Sequence, residues 1–478
     1  MTNGAPERAP IDGRLTSGNE RLDDILAGGF PAHAINLVAG PPGSGKTILA
    51  QQYVFHNATV ERPAVYLTTV SEPLEKVLRY GQTMAFFDAG AVGRAVFYED
   101  LGELLSTKGL GGVLERIDQL VKEHRPAIIV IDSFKALHPY AGDQGEFRRF
   151  LHRLAGQLSA FPVASLWIGE YDHAELSTAP EFAVADAIVS LSSDRIGQRE
   201  LRMLQVVKLR GSGFLSGGHV YRLSNGGIDV FPRLADPVDP SAYAMPAQRT
   251  SSGIAALDAM LADGYWPGAA TLVAGPSGSG KTLIGLHFVV SGARRGEPGI
   301  IATLQENPTQ LERVAQGFGW SLAENGIELL YRSPVDLLVD QWLYQLLATI
   351  ERTGARRILI DSLGDLALAA GDEVRSREYL YSLVQRCSRR GVSLLMTLEL
   401  PDLFQVTRLS ELGISHVSDN VVLLQYLRQQ ARVKRTLTVL KTRASLHEPQ
   451  IREFTITSEG ITLKDEPGDE RLGNPSSL

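Results

Sequence analysis

An internal repeat limits the fold of this chain more than any other feature of its sequence. Residues 17–47 read SGNERLDDILAGGFPAHAINLVAGPPGSGKT, and residues 252–282 read SGIAALDAMLADGYWPGAATLVAGPSGSGKT. The two segments align without a gap at an offset of 235, and 18 of their 31 positions are identical. An Asp-Ser pair recurs at an offset of 229, and a Lys-x-Arg triplet recurs at an offset of 233. The 478 residues are therefore predicted to form two copies of one domain of about 230 residues.

The predicted domains span residues 13–232 and 250–463. Residues 233–249, between them, contain several prolines and few periodic apolar positions, which is typical of a linker. Residues 1–12 and 464–478 are predicted to be flexible tails.

The pattern inside each copy predicts an α/β fold. In the first copy, short apolar runs alternate with segments whose apolar residues recur at helical spacing, and the runs lie at 34–39, 64–69, 95–98, 127–131 and 163–168. Such alternation indicates a mostly parallel sheet covered by helices. After residue 186 the runs follow one another directly, which predicts an antiparallel extension of the sheet. The second copy repeats this scheme.

Both copies carry a glycine-rich phosphate loop, at residues 40–47 and 275–282. Each loop follows a predicted strand and opens a predicted helix, which is the context that the motif requires. Glycines let backbone N–H groups surround phosphates, the lysine reaches the β and γ phosphates, and the threonine hydroxyl is a ligand for Mg²⁺. The expected ATP contacts are Gly43, Ser44, Gly45, Lys46 and Thr47, then Gly278, Ser279, Gly280, Lys281 and Thr282.

Two kinds of acidic residue complete the expected sites. Asp132 and Asp361 each end an apolar strand, where a carboxylate is placed to help bind Mg²⁺. Glu72 and Glu306 follow the second strand of each copy and are candidates for orienting the attacking water. A gap near these glutamates leaves open whether they occupy equivalent positions.

Composition limits which partners the protein could bind and which cellular compartment it could occupy. The 47 Lys and Arg against 54 Asp and Glu give a net charge of -7, so no overall field draws the protein to nucleic acid or to anionic lipid. The single cysteine, Cys387, is interpreted as a buried helix residue and favours a reducing compartment. The sequence contains no secretory signal pattern and no apolar stretch of 18 residues, so a cytoplasmic location without a membrane span is predicted.

These motifs together resemble the RecA-like ATPases. Two such domains in one chain, each preceded by Ser-Gly-x-x-x-Leu-Asp, resemble the KaiC family in particular. The resemblance implies two tandem RecA-like P-loop domains, ATP hydrolysis, and a homohexamer of two stacked rings with ATP between subunits. It also implies a regulatory protein partner, which the sequence does not identify. The Lys-x-Arg pairs would face the γ-phosphate held by the neighbouring subunit, through Lys208, Arg210, Lys441 and Arg443.

The resemblance further implies serine/threonine autophosphorylation in the second domain. Its phosphorylation segment aligns with residues 413–420, where Ser415 keeps one acceptor hydroxyl and His416 replaces the other. The first copy has Phe182 and Ala183 at the equivalent positions, so only the second domain is expected to phosphorylate itself there.

Two other classes of function stay open from the sequence. A RecA- or RadA-like DNA-dependent motor would need basic loops after the aspartate strands, and the loops at 134–145 and 363–373 contain more acidic than basic residues. A scaffold that binds ATP only to assemble would show no significant turnover.

Overall fold

The computed structural model describes residues 13–70, 73–172, 174–196, 199–234, 248–335, 337–402, 414–429 and 432–464. The chain divides into two compact units, Met1–Arg233 and Leu234–Leu478. The finer bounds of the predicted linker and tails stay predictions, because most of those residues lie outside the described part. Within the described residues, no helix is long and apolar enough to cross a membrane.

The first unit is built on a nine-stranded sheet with a small two-stranded sheet beside it. Its strands are β1 (Arg14–Leu15), β2 (Phe30–Pro31), β3 (Ile35–Ala39), β4 (Ala64–Thr68), β5 (Val96–Asp100), β6 (Ile128–Asp132), β7 (Ala164–Gly169), β8 (Ala187–Ile196), β9 (Arg199–Leu209), β10 (Gly218–Ser224) and β11 (Gly227–Phe231). The order in the large sheet is β11-β10-β9-β8-β3-β7-β6-β4-β5. Strands from β8 to β5 in this order are parallel, and β9, β10 and β11 are antiparallel.

The second unit repeats this sheet. Its strands are β12 (Ala270–Gly275), β13 (Gly299–Thr303), β14 (Glu328–Tyr331), β15 (Arg357–Asp361), β16 (Ser393–Glu399), β17 (Asn420–Gln429), β18 (Arg432–Thr442), β19 (Arg452–Thr457) and β20 (Gly460–Leu463). The order β14-β13-β15-β16-β12-β17-β18-β19-β20 matches that of the first unit strand for strand. The predicted fold class is confirmed: each unit has a mostly parallel sheet with an antiparallel extension.

Helices cover the faces of both sheets. In the first unit they are α1 (Glu20–Ile25), α2 (Lys46–Asn57), α3 (Leu74–Gly81), α4 (Gly102–His124), α5 (Gln144–Ser159) and α6 (Pro180–Val184). In the second they are α7 (Ala255–Met260), α8 (Lys281–Ala293), α9 (Pro308–Gln316), α10 (Val339–Thr353), α11 (Leu363–Ala370), α12 (Glu373–Arg389) and α13 (Ile414–Val417). Cys387 lies buried in α12, as predicted.

The core of each unit lies on both faces of its sheet. In β6, Ile128 and Val130 pack on the face covered by α2, while Ile129 and Ile131 pack on the face covered by α4 and α5. A strand buried on both faces reads as a continuous apolar run, which is why these strands stand out in the sequence. The parallel strands end together at one edge of each sheet, and the phosphate loop follows the central strand there.

Candidate nucleotide-binding sites

Each phosphate loop connects a buried strand directly to a helix. β3 ends at Ala39 and α2 begins at Lys46, and the corresponding loop of the second unit leads from β12 into α8. Positive φ angles, which glycine adopts without steric cost, occur at Gly43 (74°), Gly45 (89°), Gly278 (70°) and Gly280 (106°). A side chain at Gly45 would also lie 2.6 Å from Leu223 Cδ2. These positions therefore require glycine, as a backbone cradle for phosphate at a helix N-terminus does.

A tyrosine from another strand of the same sheet contacts each loop. The Tyr221 hydroxyl in β10 donates a hydrogen bond to the Ser44 carbonyl at 2.7 Å, and the Tyr426 hydroxyl in β17 reaches the Ser277 carbonyl at 3.3 Å. The buried hydroxyls of Ser44 and Ser279 have no hydrogen-bond partner among the described residues. Sequence reasoning missed both tyrosines, because they meet the loops only through the folded sheet.

The loop lysines are buried and hold their ammonium groups inside the loops. Lys46 Nζ donates to the Pro41 carbonyl at 2.8 Å, and Lys281 Nζ donates to the Pro276 carbonyl at 2.8 Å. Burial lowers the pKa of Lys46 and of Lys281, and nearby carboxylates oppose this shift. Buried ammonium groups of this kind favour an anionic ligand that restores their lost solvation.

One carboxylate beside each lysine was not predicted from the sequence. Glu399 Oε2 lies 3.7 Å from Lys281 Nζ, and Glu170 is the leading carboxylate that raises the pKa of Lys46. Glu170 follows β7 directly and Glu399 ends β16, so both come from equivalent strands. The sequence could have identified these two glutamates, because they recur at the offset of 229 that also relates Asp132 to Asp361.

The predicted magnesium ligands are brought together in both units. Thr47 Oγ1 lies 2.8 Å from Asp132 Oδ2, and Thr282 Oγ1 lies 2.7 Å from Asp361 Oδ2. A hydroxyl and a carboxylate oxygen at this distance beside a phosphate cradle suit Mg²⁺, which prefers oxygen ligands.

The two aspartates are held by different neighbours. The Tyr66 hydroxyl donates to Asp132 Oδ2 at 2.8 Å. In the second unit the buried Thr397 hydroxyl donates to Asp361 Oδ1 instead. These second contacts orient each carboxylate, and such contacts commonly alter metal affinity.

Glu306 is half-buried next to the second phosphate loop. Its Oε2 atom is buried and has no hydrogen-bond partner in the part of the chain that the structure describes. Burial, and then the charge of Asp361, raise the pKa of Glu306. Its backbone is fixed by Thr303, whose hydroxyl accepts from the Glu306 amide at 3.2 Å and donates to its carbonyl at 3.0 Å. Thr303 thus fixes the backbone from which the Glu306 carboxylate extends.

The strand register shows which residues are equivalent at the ends of β4 and β13. Thr68 of β4 is paired with Asp132, and Thr303 of β13 is paired with Asp361. Thr68 and Thr303 are therefore equivalent, and their offset is 235.

Counting forward from these threonines without a gap aligns Ser71 with Glu306 and Glu72 with Asn307. The following helices match at an offset of 237, as Leu74 with Leu311, so a gap of two residues lies between the threonines and the helices. Ser71 and Glu72 lie outside the described residues, and the equivalence of Glu72 and Glu306 stays open.

A cavity of about 840 Å³ opens beside the first phosphate loop. Lys46, Thr47, Asp132, Glu170 and Lys135 contribute to its lining. This volume lies within the range of small-molecule and cofactor sites and suits a nucleotide.

The Lys-x-Arg pairs lie away from the phosphate loop of their own unit. Lys208 is paired with Ile188 of β8, and Ile188 lies beside Leu37 of β3. The Arg210 guanidinium is bonded to Asp186 at 3.1 Å, and Asp186 also accepts from the Ile35 amide, at the start of β3. The loop follows the other end of β3, about five residues or roughly 16 Å further along the strand.

The second unit arranges its pair in the same way. Lys441 is paired with Val421 of β17, which lies beside Leu272 of β12. Lys441 Nζ donates to the Ser418 carbonyl at 2.7 Å, and Arg443 donates to the His416 carbonyl at 2.8 Å. Both carbonyls belong to α13 or to the residue after it. Ser415 lies in α13, and its side chain is outside the described part.

Comparison with known proteins agrees with these two sites. A family model described as the ATPase KaiC matches the chain twice, over residues 15–235 and 250–468. A circadian clock oscillator protein KaiC from Picosynechococcus sp. is 27% identical over 462 residues, which cover 93% of this chain and 88% of the relative. Proteins of the same name from Rippkaea orientalis and Prochlorococcus marinus are each 28% identical to this chain. The first match covers 93% of this chain and 88% of the relative, and the second covers 95% and 92%.

The repeated sheet, the two phosphate loops and the aspartates that face them define a protein of two tandem RecA-like ATPase domains. Since the family model matches both halves, the chain belongs to the KaiC family of ATPases.

Proposed function

We propose that this protein is a cytoplasmic regulatory ATPase that assembles into a homohexameric ring, with ATP and Mg²⁺ at subunit interfaces. The second domain also transfers the γ-phosphate of ATP to Ser415. The observation that carries the proposal is the buried lysine beside a threonine–aspartate pair, which occurs in both units.

The residues of each site suit an ATP–Mg²⁺ complex. Thr47 with Asp132, and Thr282 with Asp361, would hold the metal ion through oxygen atoms that already face one another. A bound Mg²⁺ supplies positive charge that stabilises the charge of the transferring phosphoryl group. Lys46 and Lys281 supply a further fixed positive charge from inside the loops.

Hydrolysis needs a group that orients the attacking water. In the second domain we assign this role to Glu306, because its Oε2 is buried and has no partner among the described residues. Water would attack the γ-phosphorus as the bond to ADP breaks, and the Glu306 carboxylate would accept a hydrogen bond from that water. In the first domain, Glu72 stays the candidate from the sequence, and Glu170 is a second carboxylate in the cavity lining.

The Lys-x-Arg pairs support a site that is shared between subunits. In the sheet register Lys208 is level with the middle of β3 and Arg210 lies near its start, whereas the phosphate loop follows its end. A group so placed suits an arginine finger that acts on the neighbouring subunit, as the KaiC-like family implies for these residues. Lys441 and Arg443 would act in the same way in the second domain.

A labelling experiment tests the transfer to Ser415. The protein is incubated with γ-labelled ATP and Mg²⁺, and the labelled peptide is mapped. We expect label on Ser415 in the wild type and in Lys46→Ala, and no label in Ser415→Ala or Lys281→Ala. Equal labelling of wild type and Ser415→Ala, or an absence of label in all four proteins, would refute the kinase part of the proposal.

ATP turnover tests the hydrolytic part separately. Phosphate release is measured for wild type, Lys46→Ala, Lys281→Ala and the double variant. We expect each single variant to lose the turnover of one domain and the double variant to fall to the background. Turnover of the wild type that equals that of the double variant would instead identify an assembly scaffold.

A further inference from the structure

A fully buried carboxylate, Glu181, stands in the five-residue helix α6 of the first domain. Its side chain is 0% exposed. His138 Nε2 lies 2.9 Å from Glu181 Oε1, and the Tyr171 hydroxyl donates a short hydrogen bond to the same oxygen. Glu181 Oε2 is buried and has no hydrogen-bond partner among the described residues. A buried carboxylate costs stability, so an apolar residue would serve better if packing were its only task.

Both partners of Glu181 belong to segments that line the nucleotide cavity. His138 lies in the 3₁₀ segment Phe134–Tyr140, and Lys135 of this segment is a lining residue. Tyr171 directly follows Glu170, which also lines the cavity. Glu181 is therefore fastened to two segments at the nucleotide site of its own domain.

The other side of α6 holds the Lys-x-Arg pair. Lys208 Nζ donates to the carbonyls of Phe182 and Ala183 at 3.2 and 3.3 Å. Arg210 donates to the Ala183 carbonyl at 3.4 Å. A helix of five residues is not stable by itself, so its position depends on its tertiary contacts. The contacts of Glu181 consequently help to set where these two carbonyls lie.

We propose that Glu181 is a positioning residue that fixes α6 and thereby orients Lys208 and Arg210 toward the ATP site of the neighbouring subunit. This inference rests on the proposed action of these two residues across the subunit interface. It adds that the orientation is controlled by a buried carboxylate, whose two partners belong to segments that line the nucleotide cavity of the same domain.

The second domain provides an internal comparison. At the repeat offset of 233, Ile414 takes the place of Glu181 in the second copy. The second domain therefore has no carboxylate at the sequence position of Glu181. A change at Glu181 should leave the turnover of the second domain unaltered, which a Lys46→Ala background isolates.

Rings that contain two kinds of chain show whether Glu181 affects the ATP site of the neighbouring subunit or the ATP site of its own subunit. All chains carry Lys281→Ala, so that only first-domain turnover is measured. One chain, the donor, also carries Lys46→Ala and has a disabled site with intact Lys208 and Arg210. The other chain, the acceptor, carries Lys208→Ala with Arg210→Ala and has an intact site. Mixing the two should restore turnover that neither chain shows alone.

Glu181→Gln is then placed in one chain at a time. In the donor we expect it to lower the restored turnover by at least about tenfold, because a misplaced group loses much of its effect. In the acceptor we expect no change, since that chain lacks the pair. Tyr171→Phe in the donor removes one hydroxyl and should give a smaller loss. Glu175→Gln in the donor is the matched control, because this partly buried glutamate pairs with Lys135 and not with α6.

The outcomes distinguish the two levels of the proposal. If the donor and the acceptor, both with Glu181 unchanged, restore no turnover, the proposal that Lys208 and Arg210 act across the interface is wrong. If they restore it and Glu181→Gln in the donor has no effect, only the role of Glu181 is wrong. An equal loss from Glu181→Gln in either chain would also overturn the inference, since it would identify a structural or local effect. Thermal unfolding of each variant confirms that the chains compared are folded.

Discussion

Replacement of Glu306 by glutamine gives the sharpest test of how the second domain hydrolyses ATP. Glutamine has nearly the shape of glutamate, and the hydrogen bonds with Thr303 involve only the backbone of residue 306. The loop should therefore keep its position in Glu306→Gln. What changes is the negative charge of the carboxylate, whose Oε2 has no hydrogen-bond partner among the described residues.

The size of the effect follows from this geometry. A positioned carboxylate that handles a proton or orients water contributes about 10²- to 10⁴-fold to a rate. At about 1.36 kcal/mol for each factor of ten, that is roughly 3 to 5 kcal/mol of transition-state stabilisation. We expect kcat to fall by about this factor. The affinity for ATP should change little, because Lys281, Thr282 and Asp361 stay in place.

The assay measures phosphate release in a Lys46→Ala background, so that only the second domain contributes. Nucleotide affinity is measured in parallel with a fluorescent ATP analogue. A kcat within twofold of the parent would refute the role of Glu306. A loss of nucleotide binding that accounts for the whole effect would refute it as well.

The pH dependence provides an independent check on the same residue. Burial and the charge of Asp361 raise the pKa of Glu306 above its ordinary value of 4.5. The active form is the ionised carboxylate, so activity is present above this pKa and is lost as the pH falls through it. We expect the acid limb of kcat/KM to lie above pH 4.5 and to disappear in Glu306→Gln, and a limb at or below 4.5 would contradict the assignment.

Two further predictions concern residues that hold the sites or the core. Thr397→Val removes the hydroxyl that bonds Asp361, and Tyr66→Phe removes the hydroxyl that bonds Asp132. Each variant should weaken the apparent Mg²⁺ affinity of its own domain by about 10- to 100-fold in a Mg²⁺ titration of turnover. An unchanged titration would show that these contacts do not affect Mg²⁺ binding. Burial raises the pKa of Cys387 to about 12, so a thiol reagent at neutral pH should label it only after unfolding, and rapid labelling of the native protein would contradict its burial.

The strands of the parallel sheet could be predicted closely because they are buried on both faces. The run predicted at 127–131 is β6 at 128–132, and the run predicted at 163–168 is β7 at 164–169. The last strand of each unit, β11 and β20, was missed, because each is short and follows a tight turn. Helix α4 begins at Gly102 and passes through a non-helical Gly109, which obscures the helical period in the sequence.

The site residues likewise fall into those that a local sequence motif identifies and those that only the folded sheet brings to the site. A phosphate loop is a local motif, so its glycines, lysine and threonine can be found by spacing alone. Tyr66, Thr397 and Tyr221 reach the sites from other strands, and only the sheet register brings them there. Glu170 is an intermediate case, because its recurrence as Glu399 was visible in the repeat but had no motif to mark it.

The central claim is that ATP links six copies of this chain through sites that neighbouring subunits complete. Native mass spectrometry in the presence of Mg²⁺ and a slowly hydrolysed ATP analogue measures this directly. We predict six chains that carry up to twelve nucleotides, and dissociation of the assembly when nucleotide and Mg²⁺ are removed. A single chain that binds two nucleotides and never assembles would contradict the account.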